Sequence, residues 1–210
     1  MKHIFKGIEP AKFAEWKGLA NEDWQPTYGN MGSEMKGLVK SALMEEQGHI
    51  CCYCERRLTD NDSHIEHFRP QSDSAVDPLD FANLLCSCQL RIEKGVPRHC
   101  GNLKDHWFDE ELLVSPLDIG CESRFVYDGD GVIRASNDDL AASTTIEKLG
   151  LDIPKLNEMR AMAIEAFLDG ALTQEEVKSF AAGYLKKNAS GHLNEFWTTI
   201  RYLFGELAVV

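Results

Sequence analysis

Apolar positions recur at helical spacing along much of the chain and alternate only in short runs. Met35, Leu38, Val39, Ala42 and Leu43 share one face of a helix that Ser33 can cap and Gly48 stops near Gln47. Before it, residues 1–32 mix Trp16, Trp24, Pro26, Tyr28 and Gly29 without a period, which suggests a partly helical arm packed through its aromatics. Residues 63–68 alternate as a strand closed by Pro70. Leu79, Phe81, Leu84 and Leu85 suggest a short helical turn over 79–86, residues 89–98 a loop, and Asn102–Phe108 a helix. Two strand-like runs, Arg124–Tyr127 and Val132–Ala135, flank Asp128-Gly129-Asp130-Gly131, a hairpin signal.

The remainder reads as helices. One covers roughly 138–149 and ends at Gly150; the next covers 154–169, with Pro154 in its first turn. Thr173 and Glu176 form a capping box for a third, running to about Lys187. Ser190 opens a last amphipathic helix carrying Leu193, Phe196, Trp197, Ile200, Leu203 and Phe204. The class is therefore α+β, mainly α. Three segments are expected: an N-terminal helical arm over 1–50, a core over 51–135, and a C-terminal helical region over 136–210.

Composition narrows the function. The sequence shows neither an apolar leader nor an uninterrupted apolar run near ~18 residues, so a cytoplasmic chain without a membrane segment is expected. A net charge of -12 in 210 residues is awkward for a nucleic-acid binder, because phosphate contacts need cations. The excess is uneven, however. Residues 108–210 hold nine Lys and Arg against eighteen Asp and Glu, whereas 51–107 hold seven against nine. If the protein acts on nucleic acid, something else is expected to supply much of the grip on phosphate.

The chemistry concentrates between residues 51 and 104, where six of the seven cysteines fall. An odd cysteine count in such a chain argues for metal ligands over a disulfide framework. Cys51-x-x-Cys54 makes a knuckle whose two thiolates can converge on one tetrahedral ion. Three downstream cysteines compete to complete it. Cys88 and Cys100 bracket a loop whose ends can meet at the ion, while Cys86 and Cys88 are poorly spaced on a helical turn. The expected structural zinc set is Cys51, Cys54, Cys88 and Cys100, leaving Cys52, Cys86 and Cys121 as core or surface thiols.

Cys51-x-x-Cys54, Glu66-His67-x-x-Pro70, Asn83-Leu84, Cys88 and Cys100-x-Asn102-x-Lys104 together resemble the HNH endonucleases, which are built on a zinc-stapled ββα-metal core. The Ser115-Pro116-Leu117 stretch, the hairpin from Phe125 to Ile133, and Thr144-Thr145-Ile146 through Leu149-Gly150-Leu151 to Arg160 extend the likeness to the PtuB-type effectors of Septu and retron-linked anti-phage systems. It covers most of residues 35–165.

The resemblance implies a phosphodiester hydrolase. His67 would be the general base, Glu66 would hold a catalytic Mg2+ or Mn2+ ion, and Asn83 would brace the loop and orient the base. Asn102, His99 and His106 compete for the second metal position. Lys104 and Arg69 are candidate substrate contacts, and His64 can ligate or assist. Implied partners are a PtuA-type ATPase, a DNA or tRNA substrate, and the reverse transcriptase with its msDNA of retron systems. The acidic C-terminal helices would suit docking onto a basic partner. The alternatives are the same fold cutting RNA, or a non-enzymatic zinc-binding adaptor, which would not require Glu66, His67 and Asn83.

Overall fold

The computed structural model describes every residue except 93, 169, 209 and 210. One position of the expected 89–98 loop, the expected helix end at 169 and the last two residues of the C-terminal region therefore lie outside it. Among the described residues the chain is mainly helical with two small antiparallel sheets.

In the N-terminal arm a short helix, α1 (Ala11–Lys17), buries Phe13, which stacks on Trp16; Trp16 in turn meets Trp24 edge-on. The next helix, α2 (Ser33–Glu46), buries Val39, Leu43 and Met44. Ser33 is its first helical residue rather than its cap: Gly32 occupies the cap position, and no side chain caps there. Its end is as expected, with Gly48 at φ 65 and the His49 amide donating back to the Met44 carbonyl at 2.7 Å.

Under α2 lies the hairpin β1 (Ser63–His67) and β2 (Leu84–Cys88), paired from Ser63↔Cys88 to His67↔Leu84. Here the expected helical turn over 79–86 gives way. Only Phe81–Asn83 forms a turn of 3-10 helix, and Leu84 onwards is strand. All five β2 residues are buried, and a short run buried on both faces shows no alternation to separate strand from helix. Burying Leu84 and Leu85 completely contributes about 1.5–3 kcal/mol each, so packing fixes this strand.

After the loop comes α3, limited to Gly101–Lys104 rather than extending to Phe108. Asp105 at φ 49 breaks it. The second sheet, β3 (Phe125–Tyr127) with β4 (Ile133–Ala135), is the expected hairpin. Gly131 at φ 77 permits its turn against the Asn157 carbonyl, which a Cβ would meet at 2.3 Å.

Of the C-terminal helices, α4 (Leu140–Leu149) is capped by the Asp139 carboxylate and stopped by Gly150 in the left-handed conformation. The following helix, α5, covers Pro154–Glu165, and α6 (Gln174–Tyr184) begins with the expected Thr173–Glu176 capping box. The last helix, α7, is Trp197–Ala208 and does not start at Ser190. Residues 190–196 instead form a strap. The Leu193 amide donates to the Gly48 carbonyl at 2.9 Å, the Phe196 amide to the Glu55 carbonyl at 3.1 Å, and the Glu195 carboxylate accepts from the Arg57 amide at 2.7 Å. Those tertiary bonds replace the helical ones that sequence periodicity suggested. The main core runs from the N-terminal arm to Leu156, and a smaller cluster joins Ile164, Phe167, Ala181 and Ile200.

Candidate active site and metal centre

Three chain segments converge beside the hairpin. Cys51 and Cys54 come from the knuckle after α2, Cys88 from the end of β2, and Cys100 from the residue before α3. Their four sulfurs lie within 4.8 Å of one another, and all four residues are buried. The Cys54–Cys88 sulfur separation is 3.6 Å. That is far from a disulfide bond of ~2.05 Å. It is close to the ~3.8 Å edge of a tetrahedron with ~2.3 Å metal–sulfur bonds. The donor set thus fits a tetrahedral metal ion. The Cys88 amide points at the Cys51 sulfur at 3.4 Å. Burial would raise the Cys51 thiol, but hydrogen bonds from Cys100 and its other thiol neighbours hold it well below the ordinary thiol range. Arg56 senses the charge of the cluster: burial acts to lower its pKa, and attraction to Cys54 and Cys88 outweighs that.

His99 belongs to this cluster rather than to the β1 cleft. It is fully buried, with Nδ1 at 3.1 Å from the Cys100 sulfur and 3.8 Å from that of Cys88. Asn102 is also committed elsewhere, its side-chain amide donating to the Gln89 carbonyl.

The second cluster lies at the C-terminal end of β1, around a cleft of about 160 Å³ bordered by Glu66, His67, Gly101, Asp105 and His106. Of the three competitors for the second metal position, only His106 borders it. Glu66 is buried and receives three groups: Lys104 Nζ at 2.9 Å, the Tyr53 hydroxyl at 3.2 Å and His64 Nε2 at 3.6 Å. Burial would raise its carboxyl; His64 and Lys104 more than reverse that, and Glu66 is held below the usual carboxylate range. Lys104, a candidate substrate contact, is 2% exposed and turned inward, where it also donates to the His67 carbonyl at 3.0 Å. Arg69 keeps its guanidinium on Asp73 at 2.9 Å and over the Phe108 ring.

Alternation separates His67 from Glu66 along β1. The His67 ring meets the Tyr28 ring edge-on at 4.6 Å, and its Nε2 lies 3.0 Å from the Pro78 carbonyl. A carbonyl can only accept, so Nε2 carries the proton and Nδ1 is left as the basic nitrogen. Burial lowers the His67 pKa, which keeps the ring neutral. Asn83 fastens the loop just after it, accepting from the Arg69 amide at 2.8 Å and donating to the Arg69 carbonyl at 2.9 Å.

The chain is similar to a protein of Vibrio cholerae serotype O1 biovar El Tor named "Retron Vc95 putative HNH endonuclease". The two are 30% identical over 142 residues, which make up 64% of this chain and 67% of the relative. It is also similar to the Septu protein PtuB of Bacillus thuringiensis, 23% identical over 180 residues, or 85% of this chain and 63% of that one. The chain belongs to the HNH endonucleases of the Septu and retron defence type. No family model matches it.

Within this HNH chain, several site residues escaped the sequence. Gly101 is one, because a Cβ there would lie 2.3 Å from Glu66 Oε2 and 2.9 Å from His64 Nε2. A glycine directly after a metal-type cysteine was the available signal. Tyr53 and Tyr28 carried none, since an aromatic in a knuckle or an arm reads as core. No described helix is long and apolar enough to cross a membrane.

Proposed function

We propose that the protein is a metal-dependent endonuclease that hydrolyses phosphodiester bonds, with DNA the favoured substrate, as the toxic effector of an anti-phage complex. The observation that carries this reading is His67, whose Nε2 proton is committed to the Pro78 carbonyl while its neutral Nδ1 remains a base beside an ionised Glu66. His67 would take the proton of the attacking water. Glu66 and His106, which border one cleft, would hold Mg2+ or Mn2+, and His64, with Nε2 3.6 Å from Glu66, would assist. Such an ion would neutralise charge on the leaving oxygen. Asn83 would keep the loop after β1 from shifting the base.

The four cysteines would hold a zinc ion that staples the knuckle to β2 and α3, making β1, β2 and α3 a ββα-metal core with a one-turn helix. The division into an arm (1–50), this core with its hairpin (51–135) and a helical region (136–210) follows the same reading. By likeness to PtuB the effector would act with a PtuA-type ATPase, the acidic helices offering the docking surface, and the retron likeness adds a reverse transcriptase with msDNA.

The test is cleavage of end-labelled DNA and of total RNA, with Mg2+ or Mn2+, with and without the ATPase. His67→Ala is expected to abolish cutting while metal content and melting temperature stay unchanged. Wild-type cutting by a clean preparation of that variant would refute the mechanism. Cleavage confined to RNA would move the substrate to tRNA-like targets.

A further inference from the structure

A second polar cleft, of about 320 Å³, opens at the other end of the β1–β2 hairpin from the catalytic groups. Among the described residues, Arg56, Arg91 and Lys155 border it, with Asn61, Gln89, Val96 and one carboxylate, Asp62. In a chain of net charge -12 this lining is cationic. Asp62 is ion-paired to Arg56 alone among the described residues, at 3.9 Å. Among the described residues neither Arg91 nor Lys155 is paired with a carboxylate. Arg56 adds a buried Nε with no hydrogen-bond partner.

Lys155 lies in the first turn of α5, a twelve-residue helix. That turn contains no acidic residue and no side-chain cap, so the partial positive charge of the helix start adds to that of the side chains.

The cleft is also joined to the catalytic groups. Asp62 is four residues before Glu66, and Ser63 to Glu66 belong to β1; at ~3.3 Å per residue the two ends are about 13 Å apart. At ~3.4 Å of duplex axis per nucleotide, that is about four nucleotide steps. The turn α3 borders both clefts: Gly101 lines the catalytic one, and Asn102 holds the Gln89 carbonyl of the other.

We propose that this cleft is a backbone-phosphate site, in which Arg91, Lys155 and Arg56 hold a nucleic-acid strand several nucleotides from the bond to be cut. The assignment rests on the nuclease reading for its ligand and supplies the grip that the acidic chain otherwise lacks. The contacts are to phosphate, so DNA and RNA strands of one sequence both fit the cleft.

The experiment measures binding of fluorescent DNA and RNA oligonucleotides to the full-length His67→Ala protein, zinc-loaded and without added Mg2+, over a salt series. Arg91→Glu/Lys155→Glu is compared with a charge-matched control, Lys12→Glu/Lys186→Glu. All four positions are exposed, so folding is preserved; melting temperature and zinc content check this. Arg56 is left intact because its charge is coupled to that of the cysteine cluster.

The cleft variant is expected to bind at least about tenfold more weakly and to lower the slope of log K against log salt by about 1.4 for single strands, at ~0.7 per phosphate contact, or about 1.8 for duplex DNA, at ~0.9, with the control unchanged. Equal losses in both variants, no loss in the cleft variant, or no binding by the parent protein at low salt would each overturn the assignment. Wild-type cleavage, measured separately, keeps the two readings apart. A cleft variant that binds and, with His67 restored, cuts normally removes the phosphate site and leaves the nuclease. A protein that never cuts but binds through the cleft does the reverse.

Discussion

Lys104 places its ammonium 2.9 Å from Glu66 Oε1, with side-chain exposures of 1% and 8%. The pair sits where the cleft beside β1 meets α3, so the carboxylate is kept charged without help from solvent. Removing one partner of such a pair leaves the other charge buried and uncompensated. Lys104→Met is therefore expected to lower stability by about 3–5 kcal/mol, read as a shift of the urea midpoint at unchanged slope. A loss below ~1 kcal/mol, the range of exposed pairs, would mean that the two groups are solvated.

Glu66 also sets a pH dependence. Its folded pKa lies below the ordinary value of 4.5, so the unfolded chain binds the proton more readily. The stabilisation is fully present above about pH 4.5 and is lost as pH falls through the lower folded value. Melting temperatures between pH 6 and pH 3 should fall faster for the wild type than for Glu66→Gln. Thiolate protonation at the cysteine cluster is common to both proteins and cancels in the comparison. Parallel curves would remove Glu66 as the source.

Much of this was legible beforehand, and the gaps have physical causes. Helix ends were readable where a local device sets them: Gly48, Gly150 and the Thr173 capping box all act within a few residues. Elements set by distant contacts were not. Leu84–Cys88 is a strand because β1 pairs along its edge and the core buries all five of its residues, and residues 190–196 are a strap because Gly48 and Glu55 accept their amides. At the site, spacing sufficed to gather Cys51, Cys54, Cys88 and Cys100. It could not say that Lys104 turns inward or that Asn102 is spent on Gln89, because a four-residue helix points its side chains by tertiary packing alone.

Gly101 tests how closely α3 must approach β1. A methyl group there would lie 2.3 Å from Glu66 Oε2 and 2.9 Å from His64 Nε2, both within van der Waals overlap. Gly101→Ala is expected to displace Glu66, cost about 1–3 kcal/mol, and reduce cleavage more than it reduces zinc content. Zinc quantitation beside a cleavage assay separates these effects. Full activity in the alanine variant would show that the approach is not needed.

His67 predicts the acid limb of the pH–rate profile. Burial comes first among its influences and lowers its pKa below 6.5; the Pro78 carbonyl and Glu66 oppose without reversing the shift. A base of this kind stays unprotonated as pH falls past 6.5, so with saturating metal the rate should begin to drop only at a lower pH. An acid limb at or above 6.5 would point to a different base.

The cysteine cluster joins the knuckle, the end of β2 and the start of α3, where Cys100 sits at φ 56 and the helix is a single turn. Metal bound there would carry folding free energy for the hairpin end that presents Glu66 and His67. A strong chelator, or Cys100→Ser, should therefore abolish cleavage and also raise amide exchange in Ser63–His67, Leu84–Cys88 and Gly101–Lys104. Exchange in α6, whose Ala181 belongs to the separate smaller cluster and whose Phe180 stacks on Phe167, should change little. Uniform exchange across both regions would mean that the cysteine site supports the whole chain cooperatively rather than the nuclease end in particular.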